Sequence, residues 1–307
     1  MSFVKLLFVI IFTGSGFFKI KKETSPYFII LGTAQDAGYP QIGCDKECCK
    51  KYWDKKVPKQ KVSCLALIDP STNQKWIFDA TPDLTEQLHE TDKFQKGNLS
   101  GIFLTHAHIG HYTGLMYLGR EALGANQTPV YAMPRMADYL KSNGPWSQLV
   151  SMKNIELRKL KSDSTIHLTN NISVTPVLVP HRDEFSETVG YSIKTGTKSV
   201  LFIPDIDKWQ KWDRNIKKMV QQYDYLFLDG TFYKDGELPG RNMSEIPHPF
   251  IQESIEFFKD LSASEKQKIY FIHFNHTNPL IDKSSNEYKE VKSKGFNIAV
   301  EGLKLSL

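Results

Sequence analysis

Short apolar runs, rich in β-branched and aromatic residues, recur along the chain: YFIILG, SCLALID, KWIFDA, GIFLTH, ISVTPVLVP, VGYSIKTG, SVLFIPD, YLFLDGT and KIYFIHF. Each has the length of a strand and ends in turn-forming or polar residues. Segments of helical pattern lie between them, at 83–90, 134–142, 207–222, 249–261 and 284–292. The two kinds of element are interspersed without strict alternation. This predicts an α+β fold with two sheets covered by helices. There is no internal repeat, low-complexity tract or long linker, so residues 25–307 read as a single domain.

The strands also share a way of ending. Asp79 follows KWIF, His106 follows GIFLT, His181 follows VLVP, Asp205 follows LFIP, Asp229 follows LFL and His273 follows YFI. If these ends share one sheet edge, their polar groups meet in one cleft. The segment FLTHAHIGHYTGL then stands out, because it holds three of the chain's nine histidines. His106 and His108 can face one ion when Ala107 turns away, and His111 can point to a second position. Imidazole suits zinc and also iron, and a few such groups with a carboxylate make a hydrolytic centre. Asp79 is expected to accept a hydrogen bond from a ligand imidazole. His248, just before a helix, and Asp229 are candidates to assist catalysis. His276 is a candidate to face substrate, and His89 and His167 read as surface residues.

Composition narrows the setting. With 307 residues, 40% of them hydrophobic, the chain can bury a large core. Its 39 basic and 34 acidic residues give a net charge of +5, too mild and dispersed to argue for nucleic acid, so a small-molecule substrate is expected. The densest basic stretch, KKYWDKKVPKQK, reads as a solvated loop, with an anion-attracting rim as the alternative. Residues 1–24 combine Lys5, an apolar run from Leu6 to Phe18 and then Lys19, Lys21 and Lys22. That run is short for a bilayer span but suits a signal peptide, so a periplasmic or secreted location is expected. Left uncleaved, it would be a membrane anchor and give transient membrane association. Of the four cysteines, Cys44, Cys48 and Cys49 cluster in GCDKECCK. They are a candidate structural metal knot completed by a ligand from elsewhere. A disulfide to Cys64, or free thiols, is the alternative.

The stretch Thr105-His106-Ala107-His108-Ile109-Gly110-His111 resembles the T-H-x-H-x-D-H signature of the metallo-β-lactamase superfamily. LGTAQDAGYPQIGC, ATPDLTEQLH, LDGTFYKDGE and IHFNHTNPLID resemble one branch of it, the coenzyme PQQ synthesis protein B family. The resemblance implies an αββα sandwich with a metal site at its edge. It also implies that His181, Asp205 and His273 supply the later ligands, Asp205 bridging two ions. One ion would then take His106, His108 and His181, and a second His111, His273 and Asp205. Members of the branch typically lack the first two motif histidines and keep its aspartate. Here both histidines are present and the aspartate is Gly110. The cysteine knot departs too, with Lys46 where a cysteine is common and Cys48 additional. A glycine offers no ligand, so one strong zinc site and a weak second one are expected, with iron as the alternative metal. Gly110→Asp is expected to raise occupancy of the second. These readings favour a metal-dependent hydrolase of ester, phosphodiester or amide substrates. The resemblance also implies two others: an iron-dependent oxygenase in PQQ biosynthesis acting on a tyrosine-containing precursor, and a non-catalytic carrier of PQQ or its precursor to the periplasm.

Overall fold

Strands with apolar side chains on both faces must be covered on both faces, and the architecture follows from that need. A computed structural model describes residues 25–307; the expected leader at 1–24 lies outside the described residues. In chain order the strands are β1 (Tyr27–Gly32), β2 (Cys64–Asp69), β3 (Gln74–Phe78), β4 (Asn98–Phe103), β5 (Thr128–Ala132), β6 (Ile155–Lys159) and β7 (Ile166–His167), followed by β8 (Ser173–Leu178), β9 (Val189–Lys194), β10 (Ser199–Ile203), β11 (Tyr225–Asp229), β12 (Ile269–Ile272), β13 (Asn297–Ile298) and β14 (Lys304–Ser306). They form two seven-stranded mixed sheets, ordered β14-β1-β2-β3-β4-β5-β6 and β13-β12-β11-β10-β9-β8-β7.

Alternate residues of each strand face opposite ways. Phe28, Ile30, Leu65, Leu67, Trp76 and Phe78 of the first sheet pack against Val189, Tyr191, Ile193, Val200 and Phe202 of the second. Phe78 meets Tyr191 with ring centroids 5.5 Å apart. The intervening residues Tyr27, Ile29, Ala66 and Ile102 face outward and are covered by Leu84, Met136, Ala137, Leu140 and Leu149. On the far side, Leu201, Ile203, Leu226, Leu228 and Phe271 are covered by Ile216, Val220, Ile251 and Val291. The layers therefore run helix, sheet, sheet, helix, and each buried large apolar side chain contributes roughly 1.5–3 kcal/mol.

The helix boundaries differ from the sequence reading in instructive places. The helix expected over 207–222 is only Ile216–Gln222, preceded by a short 3-10 turn at Trp209–Lys211. Asn215 caps it by accepting from the Lys218 amide at 3.1 Å, which fixes the start. The segment 83–90 extends to Phe94, and 249–261 shrinks to Ile251–Phe257. Residues 134–142 form a helix as expected. No helix of the described residues is long and apolar enough to cross a membrane.

Strand direction decides where the site lies. β3 and β4 are parallel, as are β10, β11 and β12. β1 and β8 each reach a parallel neighbour through two antiparallel pairings. The carboxyl ends of all these strands consequently share one edge of the sandwich.

Candidate metal centre

The first sheet supplies one half of the site. Asp79, just past β3, accepts from the Thr105 amide at 2.8 Å and from the Thr105 hydroxyl at 3.0 Å. Its Oδ2 also receives Nδ1 of His111 at 2.7 Å. The Thr105 hydroxyl in turn meets His106 Nδ1 at 3.0 Å. Hydrogen-bonding Nδ1 of each ring turns Nε2 into the cleft, where that of His106 meets His108 Nδ1 at 2.8 Å and that of His111 has no hydrogen-bond partner. Asp79 thus takes the orienting position expected of it. It does so at φ +72°, a left-handed conformation that a non-glycine residue adopts under constraint.

The second sheet supplies the other half by a similar device. Asp229, the last residue of β11, accepts from the Thr231 amide at 2.9 Å and the Thr231 hydroxyl at 2.7 Å. That hydroxyl meets His273 Nδ1 at 2.9 Å. His248 comes from the loop before Ile251–Phe257, and its Nδ1 lies 2.8 Å from Asp229 Oδ2 and 3.3 Å from Asp205 Oδ1.

Asp205 stands at the middle. Its Oδ2 is 3.4 Å from His106 Nε2, 3.1 Å from His111 Nε2 and 3.4 Å from His273 Nε2, while Oδ1 is 3.7 Å from His181 Nε2. Two ligand sets meet on this carboxylate: His106, His108, His181 and Asp205, and Asp36, His111, Asp205 and His273. All six residues named from sequence as metal ligands are therefore brought together. A tetrahedral shell with metal–nitrogen bonds of about 2.0–2.1 Å separates its ligand atoms by about 3.4 Å, close to the distances around Asp205.

The electrostatics fit a cation. Asp36 Oδ1, His111 Nε2, both ring nitrogens of His181, both oxygens of Asp205 and His273 Nε2 are buried without a hydrogen-bond partner. An unsatisfied buried polar group costs about 1–3 kcal/mol, so this many in one cleft call for a ligand that binds them all. Burial drives the His181 imidazole down to about 4 and holds His106 well below its ordinary range, so both are neutral donors. Burial would push the carboxyls of Asp36 and Asp205 up, yet the surrounding imidazoles hold both well below the usual carboxylate range. Imidazole nitrogens and carboxylate oxygens suit zinc or iron.

Asp205, Asp229 and His248 also lie close together. Asp229, however, already accepts from the Thr231 amide and hydroxyl, the Ile206 amide and His248, which makes this group a hydrogen-bonded unit. Burial opposes protonation of His248, but Asp229 outweighs it and raises the imidazole to about 9.

Asp36 is the residue that sequence reasoning missed. It lies in the loop after β1, with Oδ1 2.8 Å from His111 Nε2 and 3.6 Å from His273 Nε2. It offers the second position a carboxylate that the sequence reading did not name, position 110 itself offering none. A Cβ at Gly110 would lie 2.4 Å from Asp36 Cα and 2.5 Å from its Oδ1, so an aspartate there would have to displace Asp36. Asp36 lies four residues past Gly32, beyond the strand end itself, so the pattern of strands ending on ligands does not single it out.

A second cluster joins Cys44, Cys48 and Cys49 to His276, whose ligand atoms lie within 4.8 Å of one another. His276, a candidate from sequence to face substrate, is placed with the thiols and also lines a cavity with Cys48, Lys51 and Thr277. Cys64 lies apart beneath Asp79, and all four cysteines are free, which removes the expected alternative of a disulfide. Burial pushes the Cys49 thiol up to about 12. Cys44 is lowered despite burial, by the Lys46 amide and its thiol neighbours. Three thiolates here would need a cation, and three sulfurs with one imidazole match a structural zinc set.

The remaining candidates are quickly placed. His89 and His167 are exposed. In the basic stretch Lys51 pairs with Asp282 at 2.7 Å, and Lys59 and Lys61 pair with Asp83 and Glu301, which leaves little free positive rim.

Comparison with known proteins agrees with this architecture. The model of the β-lactamase superfamily domain matches residues 68–274. Coenzyme PQQ synthesis protein B of Methylorubrum populi is 25% identical over 92% of this chain and all of its own length. The crystal structure of zinc-bound PqqB from Methylobacterium extorquens superposes with a TM-score of 0.77 at 23% identity, covering 92% of this chain and all of that one. A diphosphatase of the PhnP family superposes with a TM-score of 0.64 at 23% identity, covering 92% and 97%. Two helix-covered sheets, a histidine-rich edge and a family match spanning most of the chain lead to one conclusion: this protein belongs to the metallo-β-lactamase superfamily and is PqqB-like.

Proposed function

We propose that this protein is a metal-dependent hydrolase that cleaves a small phosphoester or phosphodiester. One observation carries the reading: two ligand sets share Asp205, and an imidazole held by Asp229, His248, borders them. Divalent metals bound there would acidify a water and polarise a phosphoryl oxygen, and paired sites favour in-line displacement at phosphorus. Asp205 orients both sets through its two oxygens. Asp229 holds Nδ1 of His248, which leaves the other ring nitrogen to donate a proton to the departing oxygen, general acid catalysis of the kind that contributes about 10²–10⁴-fold. The likeness of the scaffold to a PhnP-family diphosphatase supports phosphorus over carbonyl substrates. The leader expected at 1–24 supports an exported enzyme acting on a diffusible small molecule.

The test is elemental analysis coupled to chromogenic phosphodiester, phosphomonoester, ester and lactam substrates. Metal-loaded protein should turn over the phosphodiester fastest, and His108→Ala should release about one ion and abolish turnover. A loaded protein inert toward the whole panel would sink the hydrolase reading. In that case the second reading stands, a step in PQQ synthesis, supported by similarity to coenzyme PQQ synthesis protein B along its full length.

A further inference from the structure

The T-H-x-H-x-D-H motif places its carboxylate next to the last histidine, whereas this chain has Gly110 there and, at Asp36, a carboxylate whose buried Oδ1 has no hydrogen-bond partner. We propose that Asp36 is the carboxylate ligand of the second divalent metal, and that Gly110 is the vacancy that admits it. The inference rests on the two-metal reading of the centre.

Three observations place Asp36 there for a purpose. First, its loop is fastened to both sheets. Ala34 accepts from the Ser63 amide at 2.8 Å, the Gln35 amide donates to Phe274 O at 2.8 Å, and the Phe274 amide donates to Thr33 O at 2.7 Å. Phe274 follows His273, so Asp36 and His273 are held in register by main-chain bonds. Second, Asp36 Oδ1 faces the bare nitrogens of His111 and His273, two atoms that also lack partners. Third, positions 36 and 110 compete for one volume. A Cβ at Gly110 would meet the Cα, Cβ and Oδ1 of Asp36 at 2.4, 3.0 and 2.5 Å, and two of these contacts involve atoms the fastened loop cannot move away cheaply. A side chain at 110 and the present position of Asp36 therefore exclude each other, and a carboxylate reaches the same two imidazoles from one position or the other.

The test compares metal content in Asp36→Ala, His111→Ala and wild-type protein, each refolded or purified in zinc and dialysed, with thermal unfolding as a second readout. Asp36→Ala and His111→Ala should each lose about one equivalent and unfold at a lower temperature than the zinc-loaded wild type. Retention of that ion by Asp36→Ala, while His111→Ala loses it, would overturn the assignment of Asp36 alone. Identical content in all three would mean that no second ion binds, and the two-metal reading would fall with it. The exchange is tested separately. Gly110→Asp should lower the unfolding temperature without adding metal, and Asp36→Gly/Gly110→Asp should recover the ion that Asp36→Ala loses. A Gly110→Asp protein as stable as wild type would contradict the shared volume. Asp36→Asn, close in shape, keeps the ligand assignment testable should the double variant not fold.

Discussion

The two halves of the centre are built alike and end differently. In each, an aspartate at a strand end accepts from the amide and hydroxyl of a threonine, and that hydroxyl meets Nδ1 of a histidine: Asp79, Thr105 and His106 in one, Asp229, Thr231 and His273 in the other. Each aspartate also holds a second imidazole, His111 at 2.7 Å or His248 at 2.8 Å. Here the halves part. Nε2 of His111 faces Asp36 and Asp205 inside the ligand sets, whereas His248 is held by Asp229 at Nδ1, which also lies 3.3 Å from Asp205. Fixing one nitrogen of an imidazole makes it a ligand or an acid according to what its other nitrogen faces.

The sharpest way to break this comparison is to remove the non-ligand ring. His248→Ala should lower kcat by about 10²–10⁴-fold on a phosphodiester while metal content stays as in wild type. Loss of metal in parallel with activity would make His248 a ligand and erase the distinction between the halves. A smaller effect separates the two aspartates. Asp79→Asn should ease removal of metal by chelator about 10–100-fold, because His111 loses its orienting acceptor. Asp229→Asn should act mainly on kcat, through His248. Equal chelator sensitivity in the two variants would show that both aspartates serve the ligands alone.

How much of this could be read from sequence depends on how locally each feature is encoded. Strands covered on both faces, such as β1, β2 and β10, are continuous apolar runs and are legible. β5, β6 and β14 are not: TPVYA, IELRK and KLS are short and partly exposed, and their strand character comes from pairing with neighbours. The spacing of Trp209, Trp212, Ile216 and Val220 mimics a helix because all four pack into one core, although the helix begins only at Ile216. His106, His108 and His111 announce themselves by proximity. Asp36 carries no such local signal, since its partner position, Gly110, lies across the sheet and is informative only through the space it leaves. His276 is similar, being joined to the cysteines by the fold alone.

The smallest expected effect probes the hydroxyl relays themselves. Thr105→Val and Thr231→Val preserve side-chain shape and delete the atom that meets Nδ1 of His106 or His273. Each leaves a buried ring N–H and a carboxylate oxygen short of a partner, a loss of about 1–3 kcal/mol measurable by denaturant unfolding. If the halves share one construction, the two stability losses should agree closely. Their kinetics should not, because the Thr231 hydroxyl also lies 3.2 Å from Nδ1 of His248, whereas Thr105 touches no imidazole outside the ligand sets. Thr231→Val should therefore reduce kcat more than Thr105→Val at equal metal content. The reverse order would place the proton donor in the first-sheet half and invert the roles assigned to His111 and His248.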